Sequence, residues 1–190
     1  MVDAPDSTVA IIEDDEPLLE LYAGWLEDRH RVLTATSGRQ AIEILDSDVH
    51  VILLDRRLPD VMGRDVLDRC RDTVDDAMVA MITAKKPTLD ILELPIDEYL
   101  RKPVRRHDLI SAVDVLLERR AYESTIRECF SMASRLAVLE TTMSPSELNE
   151  STEYRQLKTD LRGSIERADD TIASLADRDR MDALVESNDR

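Results

Sequence analysis

Carboxylates stand where short apolar runs end. Val9-Ala10-Ile11-Ile12 leads into Glu13-Asp14-Asp15, and Val51-Ile52-Leu53-Leu54 leads into Asp55. Two other runs lead into groups of a different kind. Met78-Val79-Ala80-Met81-Ile82 ends at the hydroxyl of Thr83, and Tyr99-Leu100 is followed by the ammonium of Lys102, just before Pro103. Carboxylates gathered in one place repel one another and need a cation. Hard oxygen donors with room for water suit Mg2+. With a metal beside it, one carboxylate can attack a phosphoryl group and form an aspartyl phosphate. Metal, lysine and hydroxyl can all contact the charged oxygens of the transferred group.

That chemistry requires the runs to lie side by side. Continuous apolar runs suit strands buried on both faces of a parallel sheet, and Val32-Leu33-Thr34-Ala35 adds a fifth. Between the runs lie amphipathic segments. Leu18, Leu19, Tyr22 and Leu26 share one face, Ala41, Ile42 and Leu45 a second, and Val66, Leu67 and Cys70 a third. Strand and helix alternate from residue 8 to 120, which predicts an open, doubly wound α/β domain. In such a sheet functional residues gather at the carboxyl ends of the strands, where Glu13, Asp14, Asp55, Thr83 and Lys102 all fall.

Each of these pieces is weak alone: an acidic triplet is often a solvated loop, and a strand-end Asp is often a helix cap. Together and in order they resemble the receiver domain of two-component response regulators. The resemblance rests on Glu13-Asp14, Asp55 with Leu58-Pro59-Asp60 and Gly63, Thr83-Ala84, and Tyr99 three positions before Lys102-Pro103. It implies a flavodoxin-like five-stranded parallel sheet in the order 2-1-3-4-5, over residues 1–120. It implies Asp55 as phosphoacceptor, Asp14 as a direct Mg2+ ligand, Glu13 acting on the metal through water, and the Arg57 main-chain carbonyl as a further metal ligand. Lys102 would contact the phosphoryl oxygens, Thr83 would move onto the phosphate, and Tyr99 would change rotamer behind it. The implied phosphoryl donor is a histidine kinase. For Tyr99 the plainer reading is a packed aromatic.

Two features depart from the family pattern. The segment from Thr83 to Lys102 is shorter than in typical receivers, and Pro87 and Pro95 confine any fourth helix to roughly two turns. Arg57 and Lys85 occupy the two variable positions flanking the site, either over its mouth or in solvent.

After Pro103 the pattern becomes helical, with no Pro or Gly from Val104 to Ser144. Tyr122, Ile126, Cys129, Ala133 and Leu136 are spaced 4, 3, 4, 3, and Leu161, Ile165, Ala168, Ile172 and Leu175 repeat the rhythm. Between them Ser144-Pro145-Ser146-Glu147 has the form of a capping box with proline at the first helical position. This predicts a helical hairpin over 121–190 with coiled-coil-like seams and a charged tail that frays after about Asp177. The region resembles the HalX domain, a helical module that follows receivers in regulators of halophilic archaea of the HoxA-like kind. The resemblance implies transcriptional regulation. Two helices alone bury too little to be stable, so the seams either dock within the chain or form a homodimeric four-helix bundle.

Composition bounds the function classes. The chain has 190 residues, 41 acids against 25 bases, and a net charge of -16; 21 of the bases are arginine, which fits a protein kept soluble in concentrated salt. From Ala121 to Arg190 there are 9 bases and 15 acids and no basic stripe, so DNA remains open as a partner but is not supported by charge. His30, His50 and His107 all precede the hairpin, which leaves it without a histidine for phosphotransfer or a zinc cluster. Cys70 and Cys129 are too few for a secreted disulfide scaffold. With no long apolar run and no leader pattern, the expectation is a cytoplasmic chain with no membrane contact. The hairpin offers no nucleophile and base pair, so an enzyme in its own right is not expected. Two outputs remain: gene regulation, or a phosphorylation-gated protein-protein module that does not bind DNA.

Overall fold

The computed structural model describes the backbone of residues 7–70, 73–86, 92 and 94–188, and the side chains of these residues except 70 and 176–188. Five parallel strands form one sheet: β1 (Thr8–Ile12), β2 (Arg31–Ala35), β3 (Val51–Asp55), β4 (Met78–Thr83) and β5 (Glu98–Arg101), in the order β2-β1-β3-β4-β5. Helices α1 (Glu16–Leu26), α2 (Gly38–Ile44) and α3 (Gly63–Cys70) connect them. The order is the one expected. Every residue of β1, β3 and β4 is buried, whereas β2 and β5 are only partly so. The apolar runs therefore mark two-sided burial at the sheet centre but not at its edges, where a strand has a neighbour on one side only.

Alternation along the strands sends side chains to opposite faces. Val9, Ile11, Val51, Leu53, Ala80 and Ile82 face one core, with Leu19, Tyr22 and Leu26 of α1 and with Leu109, Val113 and Leu116. Ala10, Ile12, Ile52, Leu54 and Val79 face the other, with Ala41 of α2 and Val66 and Leu67 of α3. The third of the expected apolar faces is present at Val66 and Leu67; the Cys70 side chain lies outside the described residues. The expectation of a shortened fourth helix falls on residues 87–91 and 93, also outside them.

The chain divides into two compact units, 1–120 and 121–190. Helix α4 (Arg106–Thr142) contributes residues to both, and α5 (Pro145–Glu150) and α6 (Thr152–Asn188) complete the second. Ser144 caps α5 in a full capping box with Glu147, as its sequence predicts. Within the second unit the Tyr154 hydroxyl of α6 donates to Glu140 of α4 at 2.6 Å, and Met132, Leu136, Leu148 and Ala168 are buried. Helix α6 runs on to Asn188, beyond the point where fraying was expected. The two seams differ from expectation as well. Leu136 and Ala168 are buried, but Ala133, Ile165 and Ile172 are exposed. A pair of helices meets along one stripe, and the rest of each apolar face stays open unless a further helix covers it.

Candidate functional site

Asp55 is the last residue of β3 and sits between β1 and β4. Its backbone is held from below. A Cβ at Gly63 would come within 2.6 Å of the Asp55 carbonyl oxygen, so only glycine lets α3 start against that peptide. Both carboxylate oxygens are engaged. Oδ1 accepts the Arg57 N–H at 2.8 Å, and Oδ2 accepts from Lys102 Nζ.

The residues following β1 share their work. Asp15 caps α1, accepting the Leu18 N–H at 3.1 Å. Glu13 is buried and Asp14 is exposed, and carboxylate oxygens of Glu13, Asp14 and Asp55 lie within 4.8 Å of one another. Lys102, placed by an N–H bond to the Thr83 carbonyl at 2.9 Å, reaches Glu13 Oε2 at 2.6 Å as well as Asp55. Burial raises the Glu13 pKa against the pull of Lys102. Burial opposes the charge on Lys102, but its hydrogen bonds to Asp55 and Glu13 outweigh that, and its pKa lies above the ordinary value. The lysine is a tethered cation between two carboxylates.

Thr83 ends β4 and is buried. Its Oγ1 accepts the Lys85 N–H at 3.4 Å, and the Tyr99 hydroxyl donates to the Lys85 carbonyl at 3.0 Å. The two residues read as switches thus grip the same residue of the β4 loop from opposite ends. Arg57 and Lys85 are exposed. Arg57 donates its N–H to Asp55 and bridges Met62, so its main chain stands beside the carboxylate trio.

Sequence reasoning named Asp60 and Tyr22 but not the contacts they make. Asp60 accepts the N–H groups of Gly38 at 2.8 Å and Arg39 at 3.0 Å, which ties the loop after Asp55 to the start of α2 and holds its own pKa down. The cap lies 22 positions from its helix, and no local pattern signals that. Tyr22 reads as one more residue of an apolar helix face. It is buried, its pKa is raised first by burial, and it feels the charges of Lys102, Glu13 and Asp55. Its ring lies in the core cluster on one face of the sheet.

A divalent cation suits this donor set. Three hard carboxylates converge, and one of them, Asp14, is open to water.

A model described as the response regulator receiver domain matches residues 9–114. The chain belongs to that family. A second model, the HalX domain, matches residues 118–185 of this response regulator. A Haloferax volcanii protein named "Putative transcriptional regulator" is 38% identical over 98% of this chain and 32% of its own length. The response regulator SaeR of Staphylococcus epidermidis is 29% identical over 57% of this chain and 49% of its own. The chain thus spans about a third to a half of the length of these relatives. Among solved structures, the response regulator DrrB, a Thermotoga maritima OmpR/PhoB homolog, superposes with a TM-score of 0.55 at 27% identity, covering 60% of this chain and 53% of that one.

Proposed function

We propose that this regulator accepts a phosphoryl group on Asp55 from a histidine kinase, with Mg2+ held by Glu13, Asp14, Asp55 and the Arg57 carbonyl, and that it signals through the HalX hairpin into transcription. The observation that carries the reading is the convergence at Asp55. A buried strand-end carboxylate has two further carboxylates within 4.8 Å and a lysine hydrogen-bonded to it.

An Asp55 carboxylate oxygen attacks phosphorus, the bond from phosphorus to the donor imidazole nitrogen breaks, and that nitrogen keeps the electron pair. Bound Mg2+ supplies charge neutralisation for the carboxylates and the phosphoryl oxygens. Lys102 already touches Asp55 and needs only to turn its ammonium from Glu13 toward the incoming oxygens. Thr83 reaches the new group by giving up the Lys85 N–H, and that releases the loop residue to which Tyr99 is bonded. The β4 loop therefore carries the change away from the site. Catalysis independent of this transfer is not part of the proposed role.

A second output reading, phosphorylation-gated protein assembly without DNA, is favoured by the 9 bases against 15 acids between Ala121 and Arg190. Among the described residues no helix is long and apolar enough to cross a membrane, and a cytoplasmic location belongs to the same proposal. Acetyl phosphate with Mg2+ should add one phosphoryl group to the wild type and none to Asp55→Asn. Equal labelling of the two proteins would refute the assignment.

A further inference from the structure

The loop between β3 and α3 closes on itself. The Gly63 N–H donates to the Arg56 carbonyl at 3.1 Å, and Arg57 and Met62 form an antiparallel bridge. One end of this loop touches the acceptor. The Arg57 N–H donates to Asp55 Oδ1 at 2.8 Å, and the Arg57 carbonyl is the proposed main-chain metal ligand. The other end rests on α2. There Asp60 Oδ1 accepts the Gly38 N–H at 2.8 Å, and Oδ2 accepts the Arg39 N–H at 3.0 Å. The fit is close: a Cβ at Gly38 would lie 2.1 Å from Val61 Cγ2 and 3.3 Å from Asp60 Oδ1.

We infer that Asp60 is a positioning residue for phosphoryl transfer. By tying the loop tip to α2 it fixes the Arg57 peptide, and through that peptide the Asp55 carboxylate. The inference rests on Asp55 as the acceptor. Two donors set the rotation of that carboxylate, the Arg57 N–H on Oδ1 and Lys102 Nζ on Oδ2. Lys102 turns toward the incoming group during transfer, so the Arg57 peptide is the donor that stays. A reacting group is productive only within about 0.5 Å and 10–20° of its working geometry, and a peptide is held only as well as the loop that carries it. Leu58 anchors the near side of the loop by burial in the core. Asp60 is exposed, so packing does not account for it. Helix capping alone does not account for it either. Ser37 already caps α2 locally, accepting the Gln40 N–H at 3.3 Å. What Asp60 adds is a tie across 22 positions between α2 and the loop that holds the acceptor.

The test uses full-length protein in molar KCl. Asp60→Ala removes both acceptor oxygens. Asp60→Asn keeps one, and the two variants lose the same charge, so a difference between them is not electrostatic. Ser37→Ala weakens the same end of α2 without touching the loop. The first readout needs neither metal nor phosphoryl group. Exchange of the Arg57 amide, followed by NMR in metal-free protein, should be at least about 10-fold faster in Asp60→Ala. It should stay near wild type in Asp60→Asn and Ser37→Ala. Mg2+ affinity should fall roughly 10-fold in Asp60→Ala, as it does when a group that orients a ligand is lost. At saturating Mg2+ the maximal rate of labelling by acetyl phosphate should fall roughly 10-fold, with the half-saturating donor concentration unchanged, because the acceptor is misplaced rather than the donor unbound. Asp60→Asn should recover most of both losses. Should Asp60→Ala fail to fold, Asp60→Glu, which moves the acceptors by one methylene and keeps the charge, is read in the same way. Unchanged Arg57 exchange in Asp60→Ala, or equal losses in Asp60→Ala and Ser37→Ala, would overturn the inference while a labelled wild type left the acceptor assignment standing. A wild type that takes no label would overturn the acceptor assignment and the inference with it.

Discussion

At the scale of single residues, the receiver manages buried charge by pairing it or by keeping it neutral. Lys102 is the pairing case: Glu13 and Asp55 would repel across their shared pocket, and one ammonium bonds both. His30 is the neutral case. Its Nδ1 lies 2.7 Å from the Ser7 hydroxyl, while its buried Nε2 has no hydrogen-bond partner among the described residues. Burial lowers its pKa, Arg29 lowers it further, and Asp114, which would raise it, is already bonded to the Arg29 guanidinium at 3.0 and 3.2 Å. The unfolded chain therefore binds this proton more readily than the folded one. The linked stability is complete above the unfolded pKa of about 6.5 and is lost as pH falls below it toward the lower folded value. His30→Gln should show a shallower loss of stability than wild type in urea titrations between about pH 7 and 5, where His titrates ahead of the carboxylates. Equal slopes would remove His30 from the acid response.

At the scale of elements, two close approaches fix the loops that carry the site. A Cβ at Gly38 would meet Val61 Cγ2 at 2.1 Å, and one at Gly63 would meet the Asp55 carbonyl at 2.6 Å. Gly24, on the exposed side of α1, has nothing within 4 Å of such an atom. Gly63→Ala should therefore cost about 1–3 kcal/mol of stability through overpacking, whereas Gly24→Ala should gain about 0.5–1 kcal/mol from helix propensity. Urea unfolding of the two variants decides it, and a neutral Gly63→Ala would mean that α3 can shift away from Asp55 without penalty. This level also shows what could be read in advance. The central strands, the strand-end groups and the capping box at Ser144 are local patterns, and the sequence exposes them. The cap that Asp60 places on α2 and the shared grip on Lys85 join residues many positions apart. Their partners are set by the sheet order and by loop packing, which no local periodicity encodes. The hairpin seams were legible as seams, but which stripe the helices would use on each other was not, because both stripes are apolar.

At the scale of the whole molecule, charge dominates. A net charge of -16 on 190 residues stores self-repulsion in the compact state. Salt screens it, with the Debye length falling from about 10 Å at 0.1 M to about 3 Å at 1 M. The melting temperature should rise steadily as KCl increases from about 0.1 M to 1 M, and a flat or falling curve would show that the acid excess is not a stability burden.

The phosphoacceptor assignment meets its most direct test in locating the modified residue. Wild-type protein treated with acetyl phosphate and Mg2+, then reduced with borohydride, should yield homoserine in place of aspartate at position 55, since only an acyl phosphate is reduced in this way. Peptide mapping by mass spectrometry should find that conversion at Asp55 and at no other acid, and none without Mg2+. Conversion at Asp14 or another acid in place of Asp55, or a phosphoryl group that resists reduction, would contradict the assignment.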